Sequence, residues 1–173
     1  MSHRRLSCCI VANFNGHGLS QDASVLEQVL TEFGFDCYRK TRRDLSWVGA
    51  LLYWRKYDLV VLLETVYLRW LFVGHETWLI PNQEWFKAKK VWALRFVDKV
   101  LCKSRHAEQI FQLYAQNKTA YLGFSSPLVE YDTVYQNKDF GKWLHVAGGS
   151  QSKGTATLIK AWGELEDPPQ LIV

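Results

Sequence analysis

Long uninterrupted apolar runs are missing from this sequence of 173 residues. The apolar stretch 57–74 contains Asp58, Glu64 and Arg69, so it does not offer the roughly 20 apolar residues that a membrane-spanning helix needs. The stretch Leu6–Ala12 follows two arginines as in a signal peptide, but it is short and no suitable cleavage site follows it. These absences predict a cytoplasmic protein without a membrane span.

Cysteine is also sparse, and its spacing is not that of a metal site. The chain has four cysteines, with no CxxC pair and no Cys/His cluster. His75-Glu76 begins an HExxH motif, but Leu79 occupies the place of the second histidine. We therefore expect no metal. The cysteines are predicted to be small buried thiols in a reducing compartment.

Charge of one sign does not dominate, since 21 Lys and Arg face 17 Asp and Glu, for a net charge of +4. The basic residues are concentrated in three segments, His3–Arg5, Arg39–Arg43 and Lys87–Lys90. Each segment is either a solvated surface or a contact for anionic phosphate or lipid headgroups, so peripheral membrane contact is an expectation. No basic stripe interleaved with aromatics has the spacing of a nucleic-acid module, and nucleic acid is not an expected partner.

What the chain does contain is a repeated alternation of strand-like and helix-like segments. Leu26, Leu30 and Phe33 lie at helical spacing, with Ser20 as the expected N-cap and Gly34 as the stop. Ser104 is expected to cap a second helix. Strands are expected at residues 6–14, 35–39, 57–64, 77–80, 96–103 and 119–123. The alternation predicts an α/β fold, a Rossmann-like parallel sheet with helices on both faces.

The alternation stops at residues 125–141, which have little periodicity and are expected to form a linker. A strand (142–147), a glycine-rich turn, a helix around Leu158 and Trp162 and the start of another strand (171–173) follow. The sequence therefore predicts a domain at 1–124, the linker 125–141 and a second unit at 142–173 that is an incomplete βαβ unit.

Two glycine-rich loops are candidates for binding anions. Residues 16–21 read GxGxxQ, which lacks the third glycine of the dinucleotide fingerprint, although Arg39–Arg43 offers cations for an NADP 2′-phosphate. A cofactor loop, a substrate loop and a simple tight turn remain open for this segment. Residues 148–154 (GGSQSKG) are not a Walker A motif, because lysine precedes glycine. There, Lys153 and the free N–H groups of a helix N-terminus converge on any anion present.

The sequence from residue 140 to 162, FGKWLHVAGGSQSKGTATLIKAW, resembles the first strand, loop and helix of the C-terminal domain of GT-B glycosyltransferases, especially the retaining family 4 type. The upstream order is similar too, with LIPNQEWF, VDKVLCKS and YLGFSSP following successive strands. The resemblance implies an acceptor-binding domain first, a sugar-nucleotide domain second, and chemistry in the cleft between them.

The resemblance also implies site residues. Those expected to bind the donor are Gly16, His17, Gly18, Gly149, Ser150, Lys153 and Gly154. Ser150 stands where an arginine is common in the family. The polar loop after LIP offers Asn82 and Glu84 as catalytic candidates, where a histidine is common. No metal or other cofactor is implied, only a nucleotide-sugar donor and an unidentified acceptor.

The leading expectation is thus a glycosyltransferase, specifically a hexosyltransferase when complete. The acidic pair of the donor site is expected far downstream and has no counterpart up to Val173, so this chain alone is expected to be inactive. The alternatives are a non-catalytic Rossmann-like binding module and an NADP-dependent oxidoreductase. Six tryptophans between residues 47 and 92 are expected to pack in the core rather than stack on sugars.

Overall fold

The structure is a computed structural model that describes residues 4–14, 16, 18–124, 139, 141–146 and 153–173. The chain forms two compact units, Met1–Pro127 and Leu128–Val173. In the described ranges, no helix has both the length and the apolar character needed to cross a membrane. Most of the expected linker lies outside the described residues.

The first unit is a six-stranded sheet in which all neighbouring strands are parallel, with the order β2-β1-β3-β4-β5-β6. The strands are β1 Leu6–Ala12, β2 Phe35–Thr41, β3 Tyr57–Glu64, β4 Gly74–Pro81, β5 Lys99–Cys102 and β6 Thr119–Tyr121. The helices are α1 Gly18–Glu32, α2 Trp47–Leu52 and α3 Arg105–Ala115, with 3₁₀ helices at Leu68–Phe72, Ala88–Phe96 and Gln116–Lys118. The predicted Rossmann-like α/β fold is confirmed.

Two apolar cores lie on opposite faces of this sheet. Helix α1 covers one face through Ala23 and Leu30, while α2, α3 and the 3₁₀ helices pack on the other. The central strands β1 and β3 are buried on both faces, which explains their nearly continuous apolar sequences. The chain steps from β1 to β2 in one direction and from β2 through β3 to β6 in the other, so the first crossover covers one face and the later crossovers cover the opposite face.

Helix ends agree with the sequence at two of three positions. Gly34 follows α1 with a φ of +86°, which favours glycine, and its N–H donates to the Thr31 carbonyl at 2.9 Å. The Ser104 hydroxyl accepts from the Ala107 N–H at 3.1 Å and caps α3. The predicted cap at Ser20 is wrong, because α1 already begins at Gly18 and the Ser20 hydroxyl instead accepts from the Gly16 N–H.

The tryptophan prediction is wrong for most of the six rings. Trp70 is buried and Trp78 half-buried, whereas Trp47, Trp54, Trp85 and Trp92 are exposed. Helix α2, which the sequence left unassigned, has only six residues and buries Ala50 alone, so Trp47 at its start and Trp54 just beyond its end stay outside the core. The strand expected at 96–103 is shorter, because a 3₁₀ helix extends to Phe96.

The cysteines follow the expectation more closely. Cys8, Cys9 and Cys102 are buried, and Cys37 is half-buried. Burial is the main cause that raises the pKa of all four thiols, with the pKa of Cys102 at about 11. The thiols are therefore protonated at neutral pH and behave as small apolar groups.

The second unit contains a parallel pair of strands, β7 Lys142–Leu144 and β8 Gln170–Ile172, joined through helix α4 Thr155–Gly163. The strand expected at 142–147 is shorter, because it ends at Leu144 and neither His145 nor Val146 belongs to it, while residue 147 lies outside the described residues. The Trp162 indole N–H donates to the Pro169 carbonyl at 2.8 Å, and its ring meets Trp143 edge-on, which ties α4 to β7.

Asp58 at the start of β3 is expected to make folding sensitive to acid. Its carboxylate accepts from the Ser7 N–H at 2.7 Å and the Ser7 hydroxyl at 2.8 Å, and these bonds lower its pKa. Because the folded pKa is below the unfolded value, the stabilisation is present above about pH 4 and is lost as the pH falls through the folded pKa. Asp58→Asn should lower the free energy of unfolding by about 1.5–3 kcal/mol at neutral pH and much less in acid.

The measurement is urea unfolding of both proteins at neutral pH and in acid. Asp36→Asn is the matched control, since Asp36 is exposed and only meets Arg5 at the surface. If Asp58→Asn lowers the free energy of unfolding by the same amount in acid, the negative charge of Asp58 does not contribute to stability through its bonds to Ser7.

Candidate functional site

The strand order reverses between β1 and β3, and a parallel sheet opens a crevice at the carboxyl ends of such strands. Gly16 follows β1 at this edge, Glu64 ends β3, and Asn82 follows β4. The sequence predicted Gly16 and Asn82 as site residues from different motifs. The parallel sheet brings both to the same edge, with β3 between them.

The glycine loop turns directly into α1. Gly16 has a φ of +74°, and its N–H donates to the Ser20 hydroxyl at 3.0 Å. Gly18 is the first residue of α1, and a Cβ at Gly16 or Gly18 would meet no atom within 4 Å. Space alone therefore does not require either glycine, but the backbone of Gly16 does. His17 lies outside the described residues.

The polar loop after β4 is a tight turn held by Asn82. The Asn82 N–H donates to the Glu64 carbonyl at 3.2 Å, and its side-chain oxygen accepts from the Glu84 N–H at 3.3 Å. Asn82 is half-buried and forms the turn, whereas Glu84 is exposed. Of the two catalytic candidates, Glu84 has the carboxylate that solvent or a substrate reaches.

Glu64 was missed by the sequence reasoning. It is half-buried at the end of β3 and has a φ of +71°, a left-handed conformation that costs a non-glycine residue free energy and is concentrated at functional sites. The signal was present in YDLVVLLE, because a charged residue ends a strand that is otherwise buried at the strand-order reversal.

A pocket of about 270 Å³ lies beyond the ends of β2 and β3, and we call it the cationic pocket. Its lining consists of Arg42, Trp47, Val66, Tyr67, Leu68, Arg69, Trp70 and Lys90. None of these is acidic, and no ion pair among the described residues neutralises its three cations. An Arg69 N–H donates to the Leu45 carbonyl at 2.7 Å, and the Lys90 ammonium to the Val66 carbonyl at 2.6 Å.

The electrostatics of the cationic pocket favour an anion. Burial lowers the pKa of Lys90, and repulsion from Lys87 and Arg42 lowers it further, while Glu64 acts in the opposite direction. An anion beside Lys90 would relieve this repulsion.

Two residues that line the cationic pocket, Tyr67 and Trp70, have buried polar atoms. Burial, together with Glu64, raises the pKa of Tyr67 to about 12, so Tyr67 keeps its proton. The backbone amide of Asn13 partly offsets this rise in the pKa, although it is not in hydrogen-bond geometry with the Tyr67 hydroxyl. Within the described ranges, neither the Tyr67 hydroxyl nor the Trp70 indole N–H has a hydrogen-bond partner. Both groups are hydrogen-bond donors that are buried behind the lining of the cationic pocket.

The second unit contains the lysine that the resemblance emphasised. The Lys153 ammonium donates to the Val146 carbonyl at 3.1 Å, so it lies just beyond the carboxyl end of β7. Gly154 has a φ of +70° and precedes α4 without a side-chain cap, which leaves the first N–H groups of the helix open. His145 meets the Thr155 hydroxyl at 3.0 Å and links β7 to the same helix end. Gly149 and Ser150 lie outside the described residues.

The described residues therefore contain two candidate anion-binding sites. One is the cationic pocket at the carboxyl edge of the first unit, and the other is Lys153 with the N-terminus of α4 in the second unit. Among these residues, no three His, Cys, Asp or Glu side chains are grouped in a way that could hold a metal ion. Comparison of the chain with protein-family models, with curated proteins and with solved structures finds no match.

Proposed function

We propose that the chain belongs to a GT-B-type glycosyltransferase, in which residues 1–124 form the acceptor-side domain and residues 142–173 contribute to binding of the nucleotide-sugar donor. The observation that carries the proposal is the position of Lys153, next to the Val146 carbonyl and one residue before the glycine that opens α4. A strand end, a lysine and an uncapped helix N-terminus together suit a diphosphate.

The chemistry that follows is stabilisation of a leaving group. As the sugar departs, negative charge grows on the diphosphate. The Lys153 ammonium and the N–H groups of α4 can stabilise this charge by hydrogen bonding to the phosphate oxygens. The hydrogen bond to Val146 uses one of the three N–H groups of the ammonium, so the others are free to meet phosphate oxygens. In this proposal no metal is needed to neutralise the leaving diphosphate.

On the acceptor side, the Rossmann-like sheet supports the proposal through its carboxyl edge. Gly16 and Gly18 have no side chains, so at these two positions a substrate can approach the backbone closely. Glu84 is an exposed carboxylate that can accept the proton of an acceptor hydroxyl, while Asn82 holds the turn that presents it.

The oxidoreductase alternative is weaker because one of the four cations offered for it by Arg39–Arg43 is already engaged. Arg39 donates to the Glu27 carboxylate at 2.8 Å and to the Ser24 hydroxyl at 3.2 Å, so it is not free to meet an NADP 2′-phosphate. A non-catalytic binding module has the same fold and differs in having no donor site, so donor binding separates it from the enzyme.

The test is a nuclear magnetic resonance titration of the chain with uridine, guanosine and adenosine diphosphates and with NADP. We expect at least one diphosphate to shift the amides of Lys153, Gly154 and Thr155 saturably, and the matching nucleoside without phosphate not to do so. No shift with any diphosphate would exclude the donor site and favour a binding module. Shifts at Gly16 and Gly18 with NADP alone would favour the oxidoreductase.

A further inference from the structure

Helix α2 and the residues around it expose several large apolar side chains. The α2 surface, as we name it, comprises Trp47, Val48, Leu51, Leu52, Trp54 and Phe72. Trp47 and Trp54 are 59% and 56% exposed, and Leu51 is 73% exposed. Large apolar groups grouped in this way mark a site for a protein or membrane partner, whereas single exposed residues are ordinary.

A groove runs along this surface. Trp47, Leu51 and Trp54 are spaced by four and three residues, so they line one side of α2 and its end, and Trp54 stacks on Phe72 with ring centroids 5.7 Å apart. Together with Ala50 they enclose a groove of about 210 Å³. All five lining residues are apolar or aromatic, so the groove suits hydrocarbon.

The groove adjoins the cationic pocket, because Trp47 lines both. The pocket also joins two basic segments that are far apart in sequence, with Arg42 from Arg39–Arg43 and Lys90 from Lys87–Lys90. Burial lowers the pKa of Lys90, and the neighbouring cations Lys87, Arg42 and Lys89 lower it further. The apolar groove and the cationic pocket are therefore adjacent, with Trp47 between them.

We propose that the α2 surface and the cationic pocket together bind an anionic phospholipid of a membrane surface, with its phosphate in the pocket and hydrocarbon along the groove. Free phosphate would leave the groove uncovered, and an apolar protein surface would leave the three cations of the pocket without an anion, since no ion pair among the described residues involves them. Tryptophan is favoured at the boundary between headgroups and hydrocarbon, and Lys and Arg at anionic lipid surfaces. The proposal does not depend on the transfer reaction.

The test is co-sedimentation of the chain with vesicles of phosphatidylcholine alone and of phosphatidylcholine mixed with phosphatidic acid. We expect binding to the mixed vesicles only, weakened by added salt. Arg42→Gln should lower the affinity about fivefold, the effect of one cation at an anionic surface. Leu51→Ser should lower it about tenfold, because an apolar side chain no longer enters the hydrocarbon.

Two matched variants control for general loss of charge and of apolar surface. Arg5→Gln removes a cation at the opposite edge of the sheet, and Leu113→Ser removes a leucine that is 78% exposed on α3. Both should bind like the parent chain. Circular dichroism of all four variants verifies that each is folded.

Three results would overturn the proposal. The first is equal binding to neutral and anionic vesicles, or equal losses in the control variants. The second is full competition by inorganic phosphate or soluble glycerol phosphate, which would make the ligand a free phosphate. The third is a dimer in sedimentation that Leu51→Ser dissolves and Arg42→Gln does not, since a second copy would then cover the α2 surface. None of these results bears on diphosphate binding at Lys153, so failure here leaves the proposed function standing.

Discussion

If the proposed function is correct, replacing Lys153 by alanine is expected to lower the turnover of sugar transfer about a hundredfold to a thousandfold. This is the effect of removing one preorganised donor that stabilises charge developing in the transition state, roughly 2.7–4 kcal/mol. The diphosphate becomes more negative as the sugar leaves, so an ammonium at the end of β7 stabilises the transition state more than the bound donor. The loss should therefore fall mainly on kcat, with a smaller change in KM.

The two proteins are compared with donor hydrolysis or transfer as the readout. Lys160→Ala is the matched control, because Lys160 is an exposed lysine in the last turn of the same helix. Thermal unfolding of each variant should change by no more than about 0.5 kcal/mol, as expected for an exposed side chain.

Unchanged turnover in the Lys153 variant would reduce this lysine to an ordinary surface residue and remove the main support for the transferase. Loss of folding would instead give it a structural role through its bond to Val146. A tenfold rise in KM with kcat unchanged would indicate that Lys153 binds the donor and the transition state equally.

The parallel sheet was predictable because its strands carry local signals. The sequences of β1 and β3 are nearly unbroken apolar runs, as strands buried on both faces must be, and Gly34 and Ser104 have side chains or backbones suited to helix ends. These features depend on residues that are close together in sequence, so they can be recognised without knowledge of the fold.

The cationic pocket could not be predicted in the same way. Arg42 and Lys90 are 48 positions apart in sequence and meet only because β2 and the 3₁₀ helix at Ala88–Phe96 reach the same edge of the sheet. Short elements are the other source of error. Helix α2 has fewer than two helical turns, too few for its apolar spacing to show which side faces solvent, so Trp47 and the nearby Trp54 were expected in the core.

Replacing Leu62 by alanine is expected to lower the free energy of unfolding of the first unit by about 2.7–5 kcal/mol. Leu62 is fully buried in β3, beside Val11 of β1 and Leu79 of β4. These neighbours are buried too and are fixed by the sheet, so the space that a shorter side chain leaves stays largely empty. Part of the cost is the lost transfer of the side chain from water, and part is the cavity that the sheet cannot close. A typical domain has only about 5–15 kcal/mol of stability, so this single change removes a large share of it.

The measurement is hydrogen exchange of the β1 and β3 amides combined with urea unfolding, because exchange reports on the first unit even if the two units unfold separately. Leu113→Ala is the matched control, since the same atoms are removed from an exposed position on α3, and it should change stability by no more than about 0.5 kcal/mol. A similar small effect for both variants would mean that the packing around β3 adjusts to fill the cavity. In that case Leu62 would not anchor the sheet, and the position of the carboxyl edge would depend instead on backbone pairing between β1, β3 and β4.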